Sequence, residues 1–193
     1  MNSILWTRTK RSLRAINFGD EGIRMSVAAV KEYLQQWGKE RSVLEFPVSS
    51  ATVELAAKAV GCEPARIAKT LSFKKDDGCV LVVAAGDARI KSSKFKAAFG
   101  TKASMMNPEE TLAFTGHVVG GVCPFAITNQ TVQVFLDVSL RRFETVFPAC
   151  GSANSAIETT CDELFMMARA VDWVDVCSSW NGEEGFASIT PKK

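Results

Sequence analysis

One histidine, His117, and one tyrosine stand in 193 residues, and 23 Lys and Arg against 21 Asp and Glu leave a formal net charge of only +2. Each scarcity removes a class of function. A lone imidazole, with six cysteines that form no C-x-x-C pair or other short ligand spacing, argues against a structural zinc site, so no metal is expected. The near balance of charge denies the chain a global field for nucleic acid, and any such contact must come from a local patch. No apolar run is long enough to span a bilayer, and no membrane contact is expected. Disulfide staples are not needed either, because a chain of this length buries about 70% of its unfolded surface. Cys62, Cys79, Cys161 and Cys177 sit in or beside apolar stretches, where free cysteine acts as a small hydrophobe. All six cysteines, Cys123 and Cys150 included, read as reduced thiols of an intracellular protein.

What remains is an ordinary globular composition, 47% hydrophobic and 23% charged. Residues 1–25 form a basic N-terminal extension, in which Arg8, Lys10, Arg11 and Arg14 precede any acid. Three readings of it compete: an organellar transit segment, an extension that contacts RNA or a partner, and a leader without function ahead of Met25. Residues 26–177 form the main domain, and 178–193 a polar C-terminal tail. Within the domain, Ser26 is the expected N-cap of a helix through Val27, Val30, Tyr33, Leu34 and Trp37, closed by Gly38. Val43 to Pro47 reads as a strand, a helix starting at Ser50 or Thr52 runs to Gly61, and Pro64 starts a helical turn. Lys69 then falls at a helix-to-strand junction. Asp76-Asp77-Gly78 between two apolar runs predicts a β-hairpin whose polar tip carries Lys74 and Lys75.

Ser92 to Phe99 predicts a helix stopped by Gly100, and Asn107-Pro108-Glu109-Glu110 opens another. Strands are expected over 103–106, 125–128, 132–137, 145–147 and 173–176, and a closing helix over 158–170. Helices and strands mix without a βαβ rhythm. An α+β domain with a mixed, largely antiparallel sheet follows.

The most informative motif is Gly120-Gly121-Val122-Cys123-Pro124. Two glycines let a backbone take positive φ and approach a ligand closely, and Pro124 fixes the exit. Such a loop can aim bare N–H groups at a carbonyl oxygen or a phosphate, while a lysine facing it, Lys69, supplies positive charge. The competing reading is a tight turn and a surface lysine.

The ordered set Lys69-Thr70-Leu71-Ser72-Phe73, Gly86-Asp87-Ala88-Arg89, Lys94, Gly116-His117, Gly120 to Phe125, Phe135-Leu136-Asp137 and Cys150-Gly151-Ser152 resembles the YbaK/ProX family. These are editing domains related to the insertion domain of bacterial prolyl-tRNA synthetase. The resemblance runs from about Val27 to about Val176. It implies a small barrel-like mixed sheet flanked by helices, with no cofactor. The implied activity is trans-editing hydrolysis of the aminoacyl ester on mischarged tRNA, with Cys-tRNA(Pro) or Ala-tRNA(Pro) as substrate. The implied partners are the tRNA acceptor end and prolyl-tRNA synthetase, the chain being a monomer or weak dimer. A cytoplasmic location follows, or an organellar one if residues 1–25 are a transit segment.

Carried onto this sequence, the resemblance makes Lys69, Gly120 and Gly121 catalytic. Thr70, His117, Val122, Cys123, Pro124, Phe125, Asp137, Gly151 and Ser152 would bind substrate. Some relatives carry an Asp or a Ser near the position of Ala156, so that polar contact is missing here. Lys91, Lys94, Lys96 and Lys102 could form a basic rim for the tRNA.

Alternatives stay open at this point. His117 and Cys123, six residues apart, could form a Cys-His hydrolase, although the glycine pair lies between them. Asp87 and Asp137 are either functional carboxylates or caps on turn backbone. Arg141-Arg142 reads as surface. The same fold without catalysis would be an aminoacyl-tRNA or synthetase-binding module, and a general small-ester hydrolase would act without tRNA.

Overall fold

The computed structural model describes residues 20–180, so the expected extension up to residue 19 and the polar tail beyond residue 180 lie outside the described residues. Helix α1 (Asp20–Leu34) begins before Ser26, because Gly22 costs a helix about 1 kcal/mol without forbidding it. Its Val27, Val30 and Leu34 are buried at the expected helical spacing. Gly38, at φ +66°, ends the 3-10 turn that follows, as expected.

Strand β1 (Val43–Glu45) leads to α2 (Val53–Val60), where the Thr52 hydroxyl accepts from Leu55 N–H and Gly61 closes the helix. The hairpin of β2 (Ile67–Lys75) and β3 (Gly78–Ala85) has the predicted Asp76-Asp77 turn, with Lys75 opposite Gly78 and Ala68 opposite Ala85. Lys69 is therefore inside a strand rather than at a junction. Strand β4 (Arg89–Ile90) precedes α3 (Ser92–Phe99) and α4 (Pro108–Thr115), the latter opened by a reciprocal Asn107 and Glu110 capping box. Then come β5 (Val132–Asp137), β6 (Thr145–Pro148), β7 (Ser155–Ile157), β8 (Thr159–Thr160), α5 (Cys161–Met167), β9 (Asp172–Val174) and β10 (Cys177–Ser178).

Six strands curl into a half-barrel in the order β8-β6-β2-β3-β5-β9. The pairs β2–β3 and β6–β8 are antiparallel, while β2–β6, β3–β5 and β5–β9 are parallel. Two short antiparallel pairs, β1–β7 and β4–β10, stand outside it. This is the mixed α+β sheet with flanking helices that was expected, but with three of its five pairings parallel it is not the largely antiparallel one, because β5 and β9 each return to the sheet in the direction of β3. Strand β3 lies inside the sheet and is buried from Cys79 to Ala85, which is why it reads as an unbroken apolar run. Phe73, Phe95, Phe99 and Phe135 chain their rings at 4.8, 4.6 and 5.1 Å beside it.

Three elements differ from expectation for local reasons. The segment 103–106 contributes one bridge, Phe73 to Met105, and 125–128 is no strand because Ala126 takes φ +56°. The closing helix is shorter than 158–170. Thr159 and Thr160 pair with β6, and Thr160 then caps α5 through Glu163. Among the described residues no helix is long and apolar enough to cross a membrane.

Candidate functional site

A cleft of about 470 Å³ opens where β2, the start of α2, the glycine loop and the turn before β7 meet. Lys69, Thr70, Gly120, Val122 and Ser152 all line it, so the fold unites five of the sequence-predicted residues from three distant stretches. Among the described residues Lys69 is the one charged residue in the lining. Its ammonium donates to the carbonyls of Gly86, at 2.9 Å, and Ala88, at 2.5 Å. Two of three donors are thus committed, and among the described residues the third has no partner. Burial lowers the Lys69 pKa, and nearby Cys177 and Asp87 work against that lowering.

Thr70 carries the site's unsatisfied group. Its hydroxyl oxygen is buried and has no partner among the described residues. An orphan of this kind costs about 1–3 kcal/mol, so it favours a ligand that can pair with it.

The glycine loop departs from expectation in one half. Gly120 has φ +95°, a conformation that favours glycine, and it faces the cleft. Gly121 is buried and does not line the cleft, and its N–H donates to the Val118 carbonyl at 3.0 Å. A Cβ there would lie 2.5 Å from Ser152 Cα and within 2.8 Å of Ser152 C and N. The close approach that Gly121 permits here is thus to the protein's own backbone, whereas a catalytic contact was expected of it.

His117 and Cys123 are buried beneath this loop, away from the cleft wall. His117 Nε2 donates to the Phe125 carbonyl at 2.9 Å, and Nδ1 meets Ser26 Oγ on α1 at 2.8 Å. Cys123 Sγ lies 3.4 Å from Nε2. Burial works against charging this imidazole, yet Cys123 and the Phe125 carbonyl outweigh it and hold the pKa at about 9. The pair clamps the loop to α1. Both ring nitrogens are engaged and the sulfur is fully buried, so neither of these residues, for which substrate contact was expected, lines the cleft.

Pro124 and Phe125 are likewise buried behind the loop, off the wall. Asp137 is fully buried, and its carboxylate accepts from the amides of Ser139, Val176 and Cys177 at 3.0, 2.9 and 3.1 Å. It caps backbone, and it does not line the cleft where substrate contact was expected. Gly151, at φ +86°, sits where a Cβ would meet Ser26 O and Oγ at 2.8 Å, so it serves the packing of α1. Arg142 is not surface: it pairs with Asp87, with 13% of its side chain exposed. Of the expected rim, Lys91, Lys96 and Lys102 are exposed and Lys94 donates to Asp175 and Cys177, but none of the four lines the cleft. All six cysteines are free.

Sequence reading missed the other hydroxyls of the cleft. Ser72 Oγ and Thr111 Oγ1 bond at 3.0 Å, and Ser155 Oγ lies 2.8 Å from the hydroxyl of the expected Ser152, which itself donates to Asn154 Oδ1 at 2.8 Å. The signal for Ser72 was present, since Ala68, Thr70 and Ser72 alternate along β2 and share a face.

Comparison with known proteins agrees with this arrangement. The sequence profile of the aminoacyl-tRNA editing domain matches residues 48–166, which include the Lys69 strand, the glycine loop and Ser152. The uncharacterized protein YwhH of Bacillus subtilis is 52% identical over 157 residues, covering 81% of this chain and 99% of that one. The proline--tRNA ligase of Thermosipho melanesiensis is 35% identical over 104 residues, 53% of this chain but only 18% of the ligase. Among solved structures, a candidate trans-editing enzyme for prolyl tRNA synthetase superposes with a TM-score of 0.72 at 29% identity, covering 79% of this chain and 97% of that one. The hypothetical protein APE2540 gives a TM-score of 0.65 at 28% identity, over 76% of this chain and 99% of that one. A lysine, an orphan hydroxyl and a glycine loop on one cleft thus coincide with the profile's span, and the chain belongs to the aminoacyl-tRNA editing domain family.

Proposed function

We propose that the protein is a trans-editing deacylase that hydrolyses the ester of mischarged tRNA, with Cys-tRNA(Pro) or Ala-tRNA(Pro) as substrate. The observation that carries this reading is the meeting of Lys69, Thr70 and Gly120 on one cleft whose volume lies in the range of small-ligand sites. An aminoacyl ester is already activated. Hydrolysis then needs a held carbonyl, one water and charge stabilisation, and no strong nucleophile. In this reading the free N–H of Lys69 meets the terminal phosphate or the developing oxyanion, and the Thr70 hydroxyl fixes the ester. The loop at Gly120 and Val122 borders the carbonyl, and Ser152 lies opposite. No carboxylate or imidazole lines the cleft among the described residues, so the substrate's own ribose hydroxyl carries the water's proton. Residues 26–177 would constitute the editing domain.

Ala149, Ala156 and Val122 give the cleft small apolar walls, and Ala156 supplies no polar contact. Such walls exclude bulk but discriminate weakly among small residues, since one methylene is worth about 1–3 kcal/mol. Full-length protein assayed against a panel of mischarged tRNAs should therefore clear Cys-tRNA(Pro) and Ala-tRNA(Pro) while sparing Pro-tRNA(Pro), and a free aminoacyl ester should react slowly. Binding without turnover would favour the non-catalytic module, and efficient cleavage of Pro-tRNA(Pro) would remove the proofreading reading.

Water as nucleophile also predicts that Cys123→Ser keeps most of the rate, because the sulfur is fully buried under the loop. Single-turnover deacylation by the folded variant is the measurement. Complete loss with an unchanged melting curve would restore the Cys-His mechanism.

A further inference from the structure

We propose that Asp87 and Arg142 are positioning residues for Lys69: their ion pair fixes the turn whose carbonyls hold the lysine ammonium in the cleft. The inference rests on the reading of Lys69 as the group that meets the substrate's charge.

Asp87 lies between Gly86 and Ala88, the two residues whose carbonyls receive Lys69 Nζ. Backbone bonds from Gly86 N to Ala65 O and from Ala88 N to Ala85 O hold the ends of this turn at 3.2 and 3.1 Å. Asp87 supplies its side-chain anchor through Arg142 Nη2. Arg142 is itself held on several sides. Its Nε donates to the Ser139 carbonyl at 3.0 Å, and its guanidinium lies over the rings of Phe143 and Trp180 at 4.6 and 5.2 Å. Ser139 in turn is fixed by its amide on Asp137 and by its hydroxyl, which accepts from Ala85 N–H. A continuous set of polar contacts thus runs from the buried Asp137 carboxylate to the lysine.

Exposed ion pairs contribute little to a protein because solvent screens them and long side chains lose entropy. This one has 13% and 27% of its two side chains exposed, and the planar fork of Arg142 is already oriented by its other contacts. It can therefore set geometry. The charge of Asp87 also bears on Lys69 directly. Burial lowers the lysine's pKa; Cys177 of β10, Asp87 and Glu54 of α2 oppose the lowering, and Arg89 of β4 adds to it.

The test uses full-length protein with ¹³C-labelled lysine, the Lys69 ε-carbon signal being assigned by its absence in Lys69→Met. Asp87→Asn should move the Lys69 titration midpoint to lower pH and bring the alkaline limb of the deacylation profile down with it. It should also lower kcat about tenfold with KM within about twofold, and Asp87→Glu should restore both. In Asp87→Asn/Arg142→Met the loss should not exceed that of the worse single variant, because the two side chains act as one unit. Where Asp87→Asn does not fold, Arg142→Lys keeps the charge but loses the fork, and the same fall in kcat is expected. A folded Asp87→Asn with the wild-type Lys69 midpoint and kcat overturns the proposal, as do additive losses in the double variant. Should the wild type hydrolyse no aminoacyl-tRNA, the editing reading fails, while the lysine titration still decides the brace.

Discussion

Lys69→Ala should lower deacylation of the preferred mischarged tRNA by at least about a hundredfold, the size of losing one preorganised transition-state contact. Among the described residues Lys69 is the one charged residue lining the cleft, so none of them can substitute for it there. Its ammonium is also prepared in advance: two carbonyls hold it, and the third donor needs no reorganisation when charge develops on the ester. The loss should fall mainly on kcat if the lysine meets the oxyanion, and on KM if it holds the terminal phosphate in ground and transition states alike.

Folding should survive the change. The carbonyls of Gly86 and Ala88 lose a donor, which costs about 1–2 kcal/mol, a minor part of a domain's stability. Lys69→Met, which keeps most of the side chain's volume, separates charge from packing and should show the same rate loss. Steady-state kinetics beside a urea melt checks both. A folded Lys69→Met at near wild-type rate would remove the lysine from the mechanism.

Elements written in local chemistry were legible in the sequence, and those decided by tertiary contact were not. Thr52 with Gly61, Asn107 with Glu110, and Asp76-Asp77-Gly78 each specify a helix end or a turn within a few residues, and all three form as expected. The strand β7 was missed because Ser155-Ala156-Ile157 is too short to show an alternation of its own. Its pairing with β1, more than a hundred positions away, is what makes it a strand. Phe125 to Thr128 misled in the opposite sense. Only Phe125 of that run is buried, and its carbonyl is held by His117 rather than by a ladder.

The site divided along the same line. Lys69 and Thr70 were visible through the resemblance carried by the Lys69-Thr70-Leu71-Ser72-Phe73 run, although the strand that holds them puts adjacent side chains on opposite faces. Loop residues were harder: nothing in Gly120-Gly121 tells which glycine faces a ligand and which faces the protein, since both meanings call for the same missing Cβ. The role of Arg142 was hidden for a similar reason, as its partner Asp87 lies 55 positions earlier in the chain.

The two glycines can be told apart by substitution. Gly121→Val should destabilise the fold by about 3 kcal/mol or more, the upper range for overpacking, because its Cβ would stand 2.5 to 2.8 Å from three backbone atoms of Ser152. Backbone cannot swing aside as a flexible side chain does. Ser152 is moreover tied by its hydroxyl to Ser155 and Asn154, and Asn154 reaches the Phe46 carbonyl through its side-chain amide at 2.9 Å. Displacing Ser152 would therefore disturb both the cleft wall and the segment that enters α2. Gly120→Ala makes the contrast. A Cβ there meets only Ala51 and Ala153 Cβ atoms at 3.5 Å, an ordinary contact, so the cost is the positive φ alone, about 1–2 kcal/mol. In urea titrations the midpoint should fall far more for Gly121→Val than for Gly120→Ala, while the alanine variant should remain folded with a narrowed cleft mouth and a raised KM. Equal stability of Gly121→Val and wild type would mean that the loop does not pack on Ser152, and with it the division of roles between the two glycines would fall.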